Sequence, residues 1–181
     1  MTDDDQDDWK HAQQARNGLL DAVRGVDPTI DGRQSEAALE IARGVMRLLG
    51  TMGEACITEL VLPNGRRADV VSLSANGIVR MIEVKSCLED FRADTKWPDY
   101  FAYCDDFYFA VGPQFPSDVL PPSVGLIIGD RYGADLIRSA PHERMAAARR
   151  KTMHLAFARA AAARLTRLTD PDAAMSAQMR P

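Results

Sequence analysis

Arg66-Arg67-Ala68-Asp69-Val70-Val71-Ser72-Leu73-Ser74-Ala75-Asn76-Gly77-Ile78-Val79-Arg80-Met81-Ile82-Glu83-Val84-Lys85 decides how this chain is read. Arg67 to Ser74 and Ile78 to Ser86 are rich in Val, Ile and Leu, and Asn-Gly between two such runs is a strong hairpin signal. Two antiparallel strands are expected. If the loop is Ala75, Asn76 and Gly77, then Ser74 faces Ile78, Val71 faces Met81, and Asp69 faces Glu83. Opposed residues share one face, with Cβ atoms about 5 Å apart, and Lys85 points the same way as Glu83 because side chains alternate along a strand. A two-residue Asn76-Gly77 loop would instead pair Val70 with Glu83 and carry Asp69 to the other face.

In the first register two acids and a lysine converge. Close carboxylates repel unless a proton or cation lies between them, and a hard ion such as Mg²⁺ takes oxygen ligands of this kind. A lysine adds a compact positive charge that orients water or stabilises charge on a phosphate. The set suits phosphodiester hydrolysis. Glu-Val-Lys alone is also what an ordinary strand with surface charge would show; its place inside an apolar run, at hairpin spacing from an acid and ahead of a helix, favours a site.

Acid, spacer and Glu-x-Lys on consecutive strands resemble the PD-(D/E)xK nuclease signature, with Ala68-Asp69 where the signature has Pro-Asp. The longer run is more specific: Ile82 to Ser86, Asp90-Phe91-Arg92-Ala93-Asp94, Lys96-Trp97-Pro98-Asp99-Tyr100 and Phe107-Tyr108-Phe109-Ala110-Val111 resemble the MmcB family of bacterial DNA repair proteins, over about residues 34 to 160. The resemblance implies an α/β, restriction-endonuclease-like mixed β-sheet flanked by helices. It implies a DNA endonuclease acting in repair, with DNA and other repair proteins as partners. Asp69 and Glu83 would bind Mg²⁺ or Mn²⁺, the Val84 carbonyl would be a further ligand, and Lys85 would assist the attacking water. A helix ahead of the strands often supplies another acid in that superfamily, and Glu40 is the candidate here. The rival function is a non-catalytic DNA-binding or partner-recruiting module on the same fold. A junction resolvase would need a symmetric dimer, and no dimer seam is recognisable.

The chain has 181 residues, 46% of them hydrophobic, and a net charge of −4. That is enough for one α/β domain with tails, expected at residues 34–169, with an acidic tail and linker at 1–33 and a C-terminal tail at 170–181. No apolar run approaches a bilayer span, and the acidic start Met1 to Asp8 is unlike a signal peptide, so a cytoplasmic protein is expected. Cys56, Cys87 and Cys104 have no Cys-x-x-Cys spacing, and His11, His142 and His154 have no helical partner spacing; all read as packing or surface residues.

Outside the hairpin, Ala38, Ile41, Ala42, Val45, Leu48 and Leu49 recur at helical spacing from Ser35, with Gly50 as the stop. Glu40 is more simply explained as a solvated partner of Arg43 or Arg47. Ala55 to Leu62 forms a strand ahead of the turn Pro63-Asn64-Gly65, and Glu59 on it is another acid near the site. Ser86-Cys87-Leu88-Glu89 reads as a capping box that starts a helix beside Lys85. Pro98 breaks that helix, and a second helical piece runs to Tyr103. Arg92, Lys96 and Tyr100, four apart, would align on one face that suits contact with DNA or the site; Tyr100 and Trp97 could equally pack on the sheet. Asp106 to Val111, Val124 to Gly129 and Tyr132 to Ile137 read as strands around a proline-marked loop. From Pro141 to Leu168 a long helix is expected, and seven basic residues from Arg144 to Arg167 stand against Glu143 alone. Such a face suits nucleic-acid phosphates, with Arg149, Arg150 and Lys151 first, although basic runs are also ordinary solvated surface.

Overall fold

A computed structural model of the protein describes residues 35–170; the acidic start, His11 and most of the C-terminal tail lie outside them. The chain divides into two compact units, a first of residues 32–160 and a second that takes in residues 161–170. The first holds everything discussed below; the described residues of the second continue the last helix as far as Thr169.

Helix α1 spans Glu36–Thr51. Ser35 caps it, its side-chain oxygen accepting the Ala38 N–H at 3.1 Å, which satisfies one of the donors a helix start leaves over. Ile41, Ala42, Val45 and Leu49 form its buried stripe. The helix runs past the expected stop at Gly50, because the residue that takes the left-handed conformation is Gly53, at φ +74°.

Six strands follow: β1 (Ala55–Val61), β2 (Arg67–Leu73), β3 (Val79–Lys85), β4 (Asp106–Val111), β5 (Gly125–Gly129) and β6 (Ala134–Arg138). They lie side by side in chain order in one sheet. β1, β2 and β3 are antiparallel, β3, β4 and β5 parallel, and β6 closes the edge antiparallel. This is the mixed α/β architecture of the restriction-endonuclease-like type expected from the sequence. The β2–β3 register pairs Val71 with Met81 and Leu73 with Val79, the register of the three-residue loop. Gly77 sits at φ +77°, where only glycine turns the chain without a steric penalty.

The pleat sorts the core by parity. Val70, Ile82, Val84, Tyr108 and Ala110 pack against α1 on one face. Val71, Met81, Phe107, Phe109 and Val111 form the other, covered by three helical pieces: α2 (Leu88–Ala93), a 3₁₀ helix (Trp97–Tyr103) and α3 (Ala147–Thr169). β4 is buried along its whole length, as a central strand of a parallel segment must be. Trp97 packs on this second face, its ring near Phe101, Phe107 and Phe109.

Two helix boundaries differ from expectation. α2 starts at Leu88 after Cys87, with no side-chain cap, so the Ser86–Glu89 capping box does not form. α3 starts at Ala147 and not at Pro141, because the preceding backbone is spent on Asp105: Glu143 N–H reaches the Asp105 carbonyl oxygen at 2.9 Å and Met145 N–H reaches its Oδ1 at 2.8 Å. Those donors cannot serve a helix at the same time.

Candidate active site

The β2–β3 ladder stops at the Val70–Ile82 pair, while β3 runs on beside β4 as far as the pairing of Lys85 with Val111. Where the two strands part, Val84 loses its β2 backbone acceptor. The Asp69 carboxylate replaces it, Oδ2 accepting the Val84 N–H at 2.8 Å. The same bond fixes Asp69 beside Glu83, on the face that alternation assigns to both.

Glu83 and Lys85 are almost fully buried, at 6% and 4% exposure. Lys85 Nζ donates to Glu83 Oε1 at 3.1 Å and to Asp94 Oδ2 at 2.7 Å. Asp94 follows the last residue of α2 in extended conformation, and its other oxygen accepts the Lys96 N–H at 2.9 Å. Asp69, Glu83, Val84, Lys85, Ser86 and Asp90 line a cavity of about 260 Å³ that α1 closes with Ser35 and Ala38.

The electrostatics of this cluster set two raised acids around one buried ammonium. Burial pushes both carboxyl groups above the usual range; for Glu83 the neighbouring Asp69 adds to the effect, and Lys85 only partly offsets it. The Val84 N–H and Lys85 temper the rise at Asp69. Lys85 is disfavoured as an ammonium by burial, yet Glu83 and Asp94 outweigh that and hold it protonated. Asp94 goes the other way: despite its own desolvation, hydrogen bonds from Lys85 and the Lys96 backbone keep its carboxyl low.

Glu83 Oε2 is buried without a hydrogen-bond partner. An uncompensated buried carboxylate oxygen is costly, and beside Asp69 it is chemically suited to a hard cation. Among the described residues no three His, Cys, Asp or Glu side chains group to cage a metal. Two carboxylates are nonetheless the usual protein contribution to Mg²⁺, which keeps several waters and takes its remaining oxygens from phosphate.

The other residues singled out in the sequence fall in different places. Glu40 does not join the cavity; its nearest cation is Arg131 at 3.7 Å, neither Arg43 nor Arg47, so it is no ligand in this arrangement. Glu59 adopts φ +50° in β1, and its buried carboxylate pairs with Arg67. Arg92, Lys96 and Tyr100 do not share a helical face, because α2 ends at Ala93 and Asp94 is extended towards Lys85. Arg92 and Lys96 are exposed, whereas Tyr100 is buried, stacked on Phe107 and donating its hydroxyl to the Arg67 carbonyl at 3.1 Å. Tyr100 thereby packs on the sheet, and after burial the nearby Glu83, Asp69 and Asp94 also push its phenol up.

Arg149 and Lys151 are exposed on the first turns of α3. Arg150 is not part of that surface: Nη1 and Nη2 grip the Asp105 carboxylate at 3.0 and 2.6 Å, and Nη1 also reaches the Gly77 carbonyl at 2.8 Å. It ties α3 to the hairpin tip. His142 pairs with Asp106 at 2.7 Å, His154 lies 2.9 Å from the Gly77 carbonyl, and all three cysteines are free. Among the described residues no helix is long and apolar enough to cross a membrane.

Asp90, Asp94 and Asp105 are the functional or structural acids that sequence reasoning missed. The first two lie within the run Asp90-Phe91-Arg92-Ala93-Asp94, and a helix starting beside Lys85 was the available signal that its acids return to the site.

The family model described as DNA repair protein MmcB-like matches residues 25–172. A solved structure of a protein of unknown function from Silicibacter pomeroyi is similar to this chain, with a TM-score of 0.74 and 41% identity, over 77% of this chain and 95% of that one. No curated protein matches significantly. Matched over most of its length, the chain belongs to the MmcB-like family of DNA repair proteins.

Proposed function

We propose that this protein is a Mg²⁺- or Mn²⁺-dependent DNA endonuclease of DNA repair, hydrolysing phosphodiester bonds at the Asp69, Glu83 and Lys85 cluster. The observation that carries the proposal is Glu83 Oε2, buried, unpartnered and set beside a second acid whose carboxyl is also raised. A buried polar atom of this kind calls for a partner, and a bound ion is one that two adjacent carboxyl groups suit.

Asp69 and Glu83 would hold the ion, with the Val84 carbonyl as a further oxygen, and a bound divalent ion would supply Lewis acidity and a more acidic water. Lys85, fixed by Glu83 and Asp94, presents an ammonium beside the scissile phosphate and stabilises the charge that builds on its oxygens. Asp94 positions Lys85. The apolar sheet beneath Glu83 excludes water from behind the cluster, which strengthens each of these interactions.

A second reading, a DNA-binding or partner-recruiting module without catalysis, is favoured by one observation: among the described residues no group of three His, Cys, Asp or Glu side chains is placed to hold a metal ion. Cleavage of labelled duplex, single-stranded, flapped and four-way DNA separates the two. The endonuclease predicts metal-dependent cutting that Asp69→Ala and Lys85→Ala both abolish. Binding without cutting on every substrate gives the assignment to the module.

A further inference from the structure

A second cavity, of about 470 Å³, opens at the start of α3 and is separate from the acid cluster. Arg144, Arg150, Lys151 and His154 line it together with Met145 and Leu155, and among the described residues no carboxylate does. Arg150 is held by Asp105, and His154 lies against the Gly77 carbonyl, so both are fixed in the wall. Arg144 and Lys151 are exposed, and among the described residues neither has an acidic partner. α3 carries six basic residues and no acidic one in a chain whose net charge is −4.

We propose that this cavity is a phosphate anchor for a nucleic-acid strand, with Arg144 and Lys151 as the contacting cations. Charge complementarity selects the occupant. A concentrated cationic hollow in an otherwise acidic protein attracts a polyanion and repels nothing that matters for binding it. Arg150 and His154 meet the carbonyl of Gly77 at the hairpin tip, whereas Glu83 lies near the far end of β3; a strand rise of 3.3 Å per residue places the two about 20 Å apart. That separation corresponds to about six phosphates along one DNA strand. The anchor would thus grip a strand well away from the acid cluster. It rests on the proposed function only for its choice of nucleic acid as partner.

The test is DNA binding by the full chain in EDTA, so that its outcome does not depend on cutting. Affinity for a labelled duplex long enough to span both cavities is measured against salt concentration for wild type, the double variant Arg144→Ala/Lys151→Ala, and Arg159→Ala, which removes one charge from α3 outside the cavity. Each phosphate contact contributes about 0.9 to the slope of log K against log salt. The expected result is a slope reduced by between about 1 and 2 in the double variant and unchanged in Arg159→Ala, with melting temperatures equal to wild type. An unchanged slope in the double variant overturns the proposal. So does an equal loss in Arg159→Ala, which would reduce the cavity to diffuse helix charge, and so does equal or tighter binding of polyglutamate, which would assign the cavity to an acidic protein. Absence of metal-dependent cutting by wild type in the separate cleavage assay, together with the slope difference found here, would fail the nuclease and leave the anchor standing.

Discussion

Lys85 Nζ lies closer to Asp94 Oδ2, at 2.7 Å, than to Glu83 Oε1, at 3.1 Å. The lysine of the cluster is therefore held from two sides, by Glu83 on its own strand and by Asp94 just past the end of α2. Asp94→Ala should free Lys85 to pair fully with Glu83, reducing both the cation's availability to phosphate and the acid's availability to a metal. A fall of about 10- to 100-fold in single-turnover cleavage is expected, as for other supporting residues at metal sites, with DNA affinity little changed. Stability should fall by about 2 kcal/mol, the loss typical of a hydrogen bond to a charged group. Equal cleavage rates in wild type and variant would show that Lys85 needs no second holder.

A cation that settles between Asp69 and Glu83 binds only the folded chain and must raise its stability by mass action. At ten times its dissociation constant, Mg²⁺ or Mn²⁺ should add about 1.4 kcal/mol. Glu83→Gln removes the charge and the unpartnered carboxylate oxygen together. Thermal denaturation with and without the ion should show the shift in wild type and none in the variant. An equal shift in both would place the ion elsewhere.

Tyr100 looked like a phosphate contact because it lies four residues beyond Lys96, yet its hydroxyl is satisfied inside the fold by the Arg67 carbonyl. Tyr100→Phe should cost about 1 kcal/mol in chemical denaturation, the net value of one such bond, and leave DNA affinity unchanged. A weaker DNA complex at unchanged stability would return the hydroxyl to the binding surface.

The nearness of Asp69 to Glu83 was legible because it depends on strand alternation and the length of one loop, both written within twenty contiguous residues. The sheet was legible for the same reason: its strands are short apolar runs punctuated by Gly, Pro and Asp. Asp94 was not. Helical periodicity extends α2 through Lys96, and the start of that helix beside Lys85 brings its acids near the site without saying that Asp94 will leave the helix to meet a buried ammonium nine residues earlier. Arg150 was misjudged by the same limit, since counting charges along α3 cannot distinguish a cation facing water from one drawn inward by Asp105, 45 residues away in sequence. Glu40 shows it once more: its nearest cation, Arg131, is set by how α1 lies across the β5–β6 turn and not by helical spacing.

Asp105 joins three segments, accepting the Val79 N–H at 2.9 Å, the Met145 N–H at 2.8 Å and both terminal nitrogens of Arg150. Its own burial is outweighed by these donors, which hold the carboxyl below its ordinary range. A carboxyl lower in the folded than in the unfolded chain contributes stability above the unfolded value, about 3.9, and loses it as pH falls through the folded one. The protein should therefore weaken on acidification below about pH 4 through this group. Asp105→Asn leaves Arg150 buried without its charge partner, and a loss of about 3 kcal/mol is expected near neutrality. Urea denaturation of wild type and variant across pH tests both statements: the two curves should converge in acid. If Asp105→Asn keeps full stability at neutral pH, or if the gap between the curves persists undiminished in acid, Asp105 is not the junction that holds β3, β4 and α3 together.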